Sequence, residues 1–182
     1  MSFSHKATRR ILSSTAAAAI ICASSGAYAQ NSYDAGDPTV VSGTVTFDRL
    51  GTPNTEIYTI DSNTAVLDFI PNDTGPGGPI NFQFAGTVAQ YLGGLGITDF
   101  TVLNRIFAAD PSRAIQFDGT VISRLQSSPT TPGGSVWFYS PGGISVGSTA
   151  VFDVGNLLLA AGDPTGGSGV ITDPNQFTIN SV

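Results

Sequence analysis

Histidine, lysine and cysteine occur once each in this chain of 182 residues, as His5, Lys6 and Cys22. All three lie in a leader that reads as an export signal, so the part that follows lacks them entirely. That absence excludes a Ser-His-Asp triad, a Cys-His pair, a Ser-Lys dyad and a zinc site built from nitrogen or sulfur ligands. It also excludes disulfides, which suits a chain that has to thread a narrow pore, although many exported proteins simply lack cysteine. The chain is accordingly expected not to be an enzyme and to carry no cofactor or metal. Positive charge is scarce as well. Beyond the leader, Arg49, Arg105, Arg113 and Arg124 stand against all thirteen acidic residues, a net charge of −9 compared with −6 for the whole chain. Nucleic acid and anionic membrane surfaces are poor partners for such a molecule. Long apolar runs and helical periodicity are missing too, so no stable membrane anchor and no helix beyond the leader are expected.

The leader has the three parts of a secretory signal peptide. Lys6, Arg9 and Arg10 supply positive charge, Ile11 to Cys22 a short apolar helix, and Ala27-Tyr28-Ala29 a small-x-small cleavage site ahead of Gln30. The residues after Arg9-Arg10 fit a twin-arginine signal poorly, and Ile21 stands where lipid attachment at Cys22 needs a small residue. General secretion is the better reading. Segment 1–29 is thus a signal peptide and 30–38 a polar, flexible lead-in.

From Thr39 onward the rhythm is a strand of four to seven residues and then a turn of Gly, Pro, Asn or Asp. Val40 to Phe47 and Glu56 to Ile60 predict a hairpin or cap, Ala65 to Ile70 another strand, and Asp73 to Pro79 a loop that glycine and proline keep irregular. Ile80-Asn81-Phe82-Gln83-Phe84 alternates strictly, with three apolar side chains on one face. The chain is all-β. A sandwich and a parallel β-helix produce the same alternation, and periodicity does not separate them.

The stretch from Thr101 to Ala161 organises the rest. It contains Asn104-Arg105-Ile106, then Ser112 with Ile115, then Ser140-Pro141-Gly142-Gly143-Ile144 with Gly147, and finally Val154-Gly155. In order and spacing this set resembles the two-partner secretion domain of the filamentous haemagglutinin family, over roughly residues 60 to 161. Ser140 and Gly142 depart from the family's usual Asn. The resemblance implies a right-handed single-stranded parallel β-helix over 39–165, with an N-terminal β cap and short extra-helical strands. The remaining 166–182 is a Gly-rich tail, or the start of a further rung at Gln176 to Asn180.

It also implies a function: the N-terminal secretion domain of a secreted or cell-surface adhesin, exported through the periplasm of a Gram-negative bacterium. The partner would be an outer-membrane β-barrel transporter with periplasmic recognition domains. Ligands on host or neighbouring cells would be bound by a region beyond this chain, since such exoproteins run on much further. A fragment, a truncated gene and a short relative all fit an end at Val182.

On this reading Asn104, Arg105, Ser140, Pro141, Gly142 and Gly143 are the candidate partner-recognition residues. Turn chemistry alone also explains the Pro-Gly-Gly corner, and an ion pair with a neighbouring acid such as Asp110 also explains Arg105. Inward positions are expected at Phe82, Phe84, Ile115, Phe117, Phe152 and Val154, and outward ones at Gln83, Gln116, Asp118 and Asp153. An alternative function is a free-standing secreted β-domain that binds or processes surface polysaccharide, with Asp110, Arg113 and Asp118 as its carboxylate and arginine set. The repeated pentapeptide Ala-Gly-Asp-Pro-Thr, at 35–39 and 161–165, reads as turn chemistry.

Overall fold

The computed structural model describes residues 31–49, 52–73, 75–166, 168–169 and 171. The segment expected to be a signal peptide, the cleavage residues expected at Ala27, Ala29 and Gln30, and the segment Gln176 to Asn180 lie outside the described residues.

The described residues are all-β, in fourteen strands. Apolar residues at every second position, cut by Gly and Pro, give short extended segments that each bury one face. In chain order the strands are β1 Thr39–Ser42, β2 Val45–Asp48, β3 Thr55–Ile60, β4 Thr64–Phe69, β5 Ile80–Gln83, β6 Val88–Gly93 and β7 Thr101–Ile106. They continue with β8 Ile115–Phe117, β9 Thr120–Leu125, β10 Ser128–Pro132, β11 Ser135–Tyr139, β12 Ile144–Val146, β13 Val151–Asp153 and β14 Asn156–Ala160.

Three sheets are visited in a fixed cycle. The first pairs β3, β6, β9 and β13 in parallel, with Thr55, Val88, Thr120 and Val151 in register. The second pairs β4, β7, β11 and β14 in parallel through Thr64, Thr101, Ser135 and Asn156. The third pairs β5, β8 and β12 in parallel, stacking Ile80, Ile115 and Ile144. Antiparallel strands occur where the cycle begins, with β1 on β4 and β2 on β3, and in β10, which folds back on β9. The sheets are therefore mixed. The run read as one segment, Val40 to Phe47, is two strands because Gly43 turns the chain at a φ of 82°.

Side chains line up in columns because the pairing is in register. Facing inward from the second sheet are Ala65, Val102 and Val136, then Leu67, Asn104 and Phe138, all fully buried. Tyr58 and Tyr91 stack on the first sheet with ring centroids 5.0 Å apart, and Phe117 meets Phe138 at 4.8 Å. Burying each such ring contributes about 1.5 to 3 kcal/mol, so the interior column of rings is a main source of stability.

The outer face of the second sheet is covered too. Val66, Leu103 and Trp137 form a second apolar cluster with Tyr139 and Ile171. This is why every residue of β7 is buried. After Ala160 the chain turns onto this face: Asp163 approaches Arg105, and Gly169 lies beside Arg105 and Val41. The described part of the tail thus crosses the sheet from β14 toward β1.

Two expectations are corrected. Gln83 is fully buried, because a bulge between Asn81 and Gln83 breaks the alternation and pairs Gln83 with Phe117. The same bulge leaves Phe84 only half-buried. Residues 32–35, expected as part of a flexible lead-in, are packed: Ser32, Tyr33 and Ala35 are buried. Tyr33 stacks on Phe82 at 4.5 Å, and Asp34 N–H donates to the Phe82 carbonyl at 2.7 Å.

Candidate functional site

Asn104 and Arg105 are neighbours on β7, so their side chains leave the sheet on opposite faces. Asn104 enters the interior, in the column between Leu67 and Phe138, with no exposed surface. A polar amide in such a slot is tolerated only when bonded. Its Oδ1 accepts from the Tyr91 hydroxyl at 2.8 Å, and its Nδ2 donates to the Trp137 carbonyl at 3.1 Å. Tyr91 spends its proton on Asn104, so Tyr33 donates to the Tyr91 oxygen at 3.0 Å. A chain of hydrogen bonds thereby joins the N-terminal segment, β6, β7 and β11. Burial pushes the phenols of Tyr33, Tyr58 and Tyr91 well above their ordinary pKa, with neighbouring phenols and Glu56 adding to the shift of Tyr33.

Arg105 faces the outer layer. Its Nε and Nη2 hold both oxygens of Asp68, at 2.6 and 2.8 Å, in a bidentate pair across adjacent strands. The acid it pairs with is Asp68 rather than Asp110. Its guanidinium lies 5.4 Å from the Phe107 ring centroid. The second Ala-Gly-Asp-Pro-Thr copy brings Asp163 to 3.9 Å, while the first brings Asp37 onto Arg49. Each copy therefore sets its aspartate against an arginine.

The corner Ser140 to Gly143 is a tight turn, closed by Gly143 N–H on the Ser140 carbonyl at 3.0 Å. Ser140 is buried, and its hydroxyl has no hydrogen-bond partner among the described residues. Pro141, Gly142 and Gly143 are half-buried. A Cβ on Gly142 would lie 2.0 Å from the Arg113 carbonyl oxygen, so this corner sits directly on the backbone of the turn before β8. Arg113 in turn reaches to Asp73 and to the carbonyls of Gly77 and Gly78. Corners 75–79, 110–114 and 140–143 are thereby stacked.

The polysaccharide set behaves differently. Asp110 caps Ser112, accepting from its hydroxyl at 2.6 Å and its N–H at 3.0 Å, and these bonds hold the carboxyl below the usual carboxylate range. Such a group is ill suited to be a general acid. Asp118 lies beyond the other end of β8 and accepts from Gln116 at 2.6 Å. The two carboxylates do not converge on Arg113. Arg113 instead lines a surface recess with Asp34, Asn72, Asp73, Asn81 and Phe84, where Asn81 Oδ1 is buried without a partner among the described residues.

A cluster that the sequence reading did not single out sits at the start of the cycle. Glu56, the chain's single glutamate, is fully buried, accepting from Ser32 Oγ at 2.6 Å and pairing with Arg49 Nε at 2.5 Å. Its signal was parity: Glu56, Tyr58 and Ile60 alternate, so the glutamate had to share the buried face. Among the described residues no three of His, Cys, Asp and Glu gather as a metal site, and no helix is long and apolar enough to cross a membrane. Comparison with family models, with curated proteins and with solved structures finds no match.

Proposed function

We propose that this chain is the N-terminal secretion domain of an adhesin-like exoprotein, exported through an outer-membrane partner transporter. We further infer that its three sheets are the faces of one right-handed parallel β-helix. The observation that carries this is the three-sheet cycle in parallel register, begun by antiparallel β1 and β2, with the motif residues at its structural joints. Asn104 ties successive turns together from inside, Arg105 ties them from outside, and the Ser140 to Gly143 corner rests on the turn before it.

A residue with no exposed surface cannot be read by a partner in the folded state. Recognition of Asn104 therefore belongs to the unfolded chain in the periplasm, and burial of the same residue on the far side makes passage hard to reverse. Folding free energy of about 5 to 15 kcal/mol supplies direction where no nucleotide is available. The test is co-expression in a Gram-negative host with and without a two-partner transporter, following the chain in the periplasm and the medium. Transporter-dependent appearance in the medium supports the proposal. Retention as a folded periplasmic protein in the presence of its genomically adjacent transporter, or the absence of any such neighbour, overturns it.

A second reading, binding of a surface polysaccharide, is favoured by the recess at Arg113, where carboxylates, amides and the Phe84 ring share one lining. Titration with neutral and acidic glycans, comparing the chain with Asn81→Ala, decides that reading.

A further inference from the structure

Segments distant in sequence meet at the recess beside Arg113, and hydrogen bonds fix how they meet. Asp34 N–H donates to the Phe82 carbonyl at 2.7 Å, and Asn72 N–H donates to the Asp34 carbonyl at 2.8 Å. The Asn72 side chain also donates to Asp34 Oδ1 at 2.9 Å. Arg113, which lines the same recess, is clamped by Asp73 and by the Gly77 and Gly78 carbonyls. Gly77 lines it too, at a φ of 69°, and a Cβ there would meet nothing within 4 Å, so bare backbone borders the open space. The walls are set before anything binds, which lowers the ordering cost of binding.

The lining is selective in size, charge and hydrogen bonding. Its volume of about 170 Å³ is below the roughly 300 to 1,000 Å³ of drug-sized sites, so it admits one sugar ring and not a chain of them. Its charges are two carboxylates, Asp34 and Asp73, against one guanidinium that Asp73 already holds, a balance that repels anions. Asn72 takes one oxygen of Asp34, and the other stands as an acceptor in the same lining as Asn81 Oδ1. A hydroxyl donates one hydrogen and accepts two, so two adjacent hydroxyls suit a carboxylate and an amide that share one wall.

We propose that this recess binds a single uncharged hexose through two adjacent hydroxyls. Asp34 accepts from one, Asn81 accepts from the other, and Phe84 packs against the C–H face of the ring. The inference rests on the polysaccharide reading of this recess and narrows it to a neutral terminal sugar. Sugar acids are turned away by the carboxylate of Asp34.

Amide shifts of the isotope-labelled chain, titrated separately with methyl glucoside, methyl mannoside, methyl galactoside and glucuronic acid, read the site directly. At least one hexoside is expected to move the amides of Asp34, Asn72, Asn81 and Arg113 saturably, with a dissociation constant on the order of 1 mM for a ring of about twelve heavy atoms. Asp34→Asn keeps an acceptor for Asn72 but gives up the carboxylate, and it should weaken that hexoside at least about 10-fold. Removing either hydroxyl of the pair from the sugar should do the same. Circular dichroism checks that the variant keeps its fold, and should it not fold, the deoxy sugars on the unsubstituted chain decide. Hexoside shifts that map elsewhere, or affinity that survives either change, overturn the proposal. Binding of glucuronic acid alone overturns it and leaves the polysaccharide reading standing, whereas no shift from any of the four sugars at roughly ten times that constant removes both.

Discussion

Asn104→Ala tests whether this residue is a structural joint. The substitution removes the acceptor of the Tyr91 hydroxyl at 2.8 Å and the donor to the Trp137 carbonyl at 3.1 Å. Each bond has a net worth of about 1 kcal/mol, and the orphaned partners are not reached by water at this depth. The space vacated between Leu67 and Phe138 adds about 1 kcal/mol, for a total of about 3 kcal/mol. Tyr91 can recover part of its loss by turning its proton toward Tyr33, which lies 3.0 Å away. Tyr91→Phe should consequently cost less in the alanine background than alone, with a coupling of about 1 to 2 kcal/mol. Equilibrium urea unfolding, followed by fluorescence of the single tryptophan and by circular dichroism, measures all four corners of the cycle. A loss below about 1 kcal/mol for Asn104→Ala, or a coupling of zero, would refute the reasoning.

Tyr33→Ala should cost about 3 to 5 kcal/mol, since it removes a buried ring that stacks on Phe82 and meets Phe69 edge-on, and exchange of the β5 amides should accelerate with it. Gly142→Asn restores the residue usual in the resembling family, yet it should destabilise by about 1 to 3 kcal/mol because its Cβ would overlap the Arg113 backbone; an unchanged urea midpoint would show that the corner yields. The phenols of Tyr33, Tyr58 and Tyr91 have raised pKa values in the fold, so the stability they confer is intact below about pH 10, the unfolded value, and is lost as pH rises through the raised ones. Absorbance at an ionised-tyrosine wavelength should accordingly step up together with loss of circular dichroism, and a smooth titration of all tyrosines in a folded chain would contradict it. Phe152→Asp should cost about 3 kcal/mol or more by setting a charge against Phe117 and Phe138, whereas Asp153→Asn loses only a partly exposed pair with Arg124, within about 1 kcal/mol by thermal melting.

Strands β3, β4 and β5 were legible because apolar residues alternate and the turns between them are rich in Gly, Pro, Asn and Asp. Inward positions at Phe82, Ile115 and Phe117 followed from parity alone. Gln83 did not, since a bulge is one residue of extra backbone and leaves no mark in an alternating pattern until pairing partners are known. Strand β10, Ser-Pro-Thr-Thr-Pro, was invisible for the opposite reason: it is fully exposed, so no apolar periodicity announces it. Tyr33 looked like part of a polar lead-in because its neighbours are polar. Only the opening of the strand stack, closed by that one ring, gives it an interior place. The partner of Arg105 was equally out of reach, since Asp68 is 37 residues away and meets it through strand register.

The placement of the motif residues bears on what a substitution at them can mean. Asn104 is wholly interior, Ser140 nearly so, and Gly142 admits no side chain without displacing Arg113. Changing any of the three perturbs folding before it perturbs a surface. Export that depends on folding outside the cell would then fall for two separable reasons: loss of a segment read while extended, or loss of the free energy that holds the chain outside. Arg105→Lys separates them on the outer face. It keeps the charge an unfolded recognition segment presents but gives up the bidentate hold on Asp68. Export retained at lowered stability would assign Arg105 to recognition by charge, and export lost in step with stability would assign it to the fold.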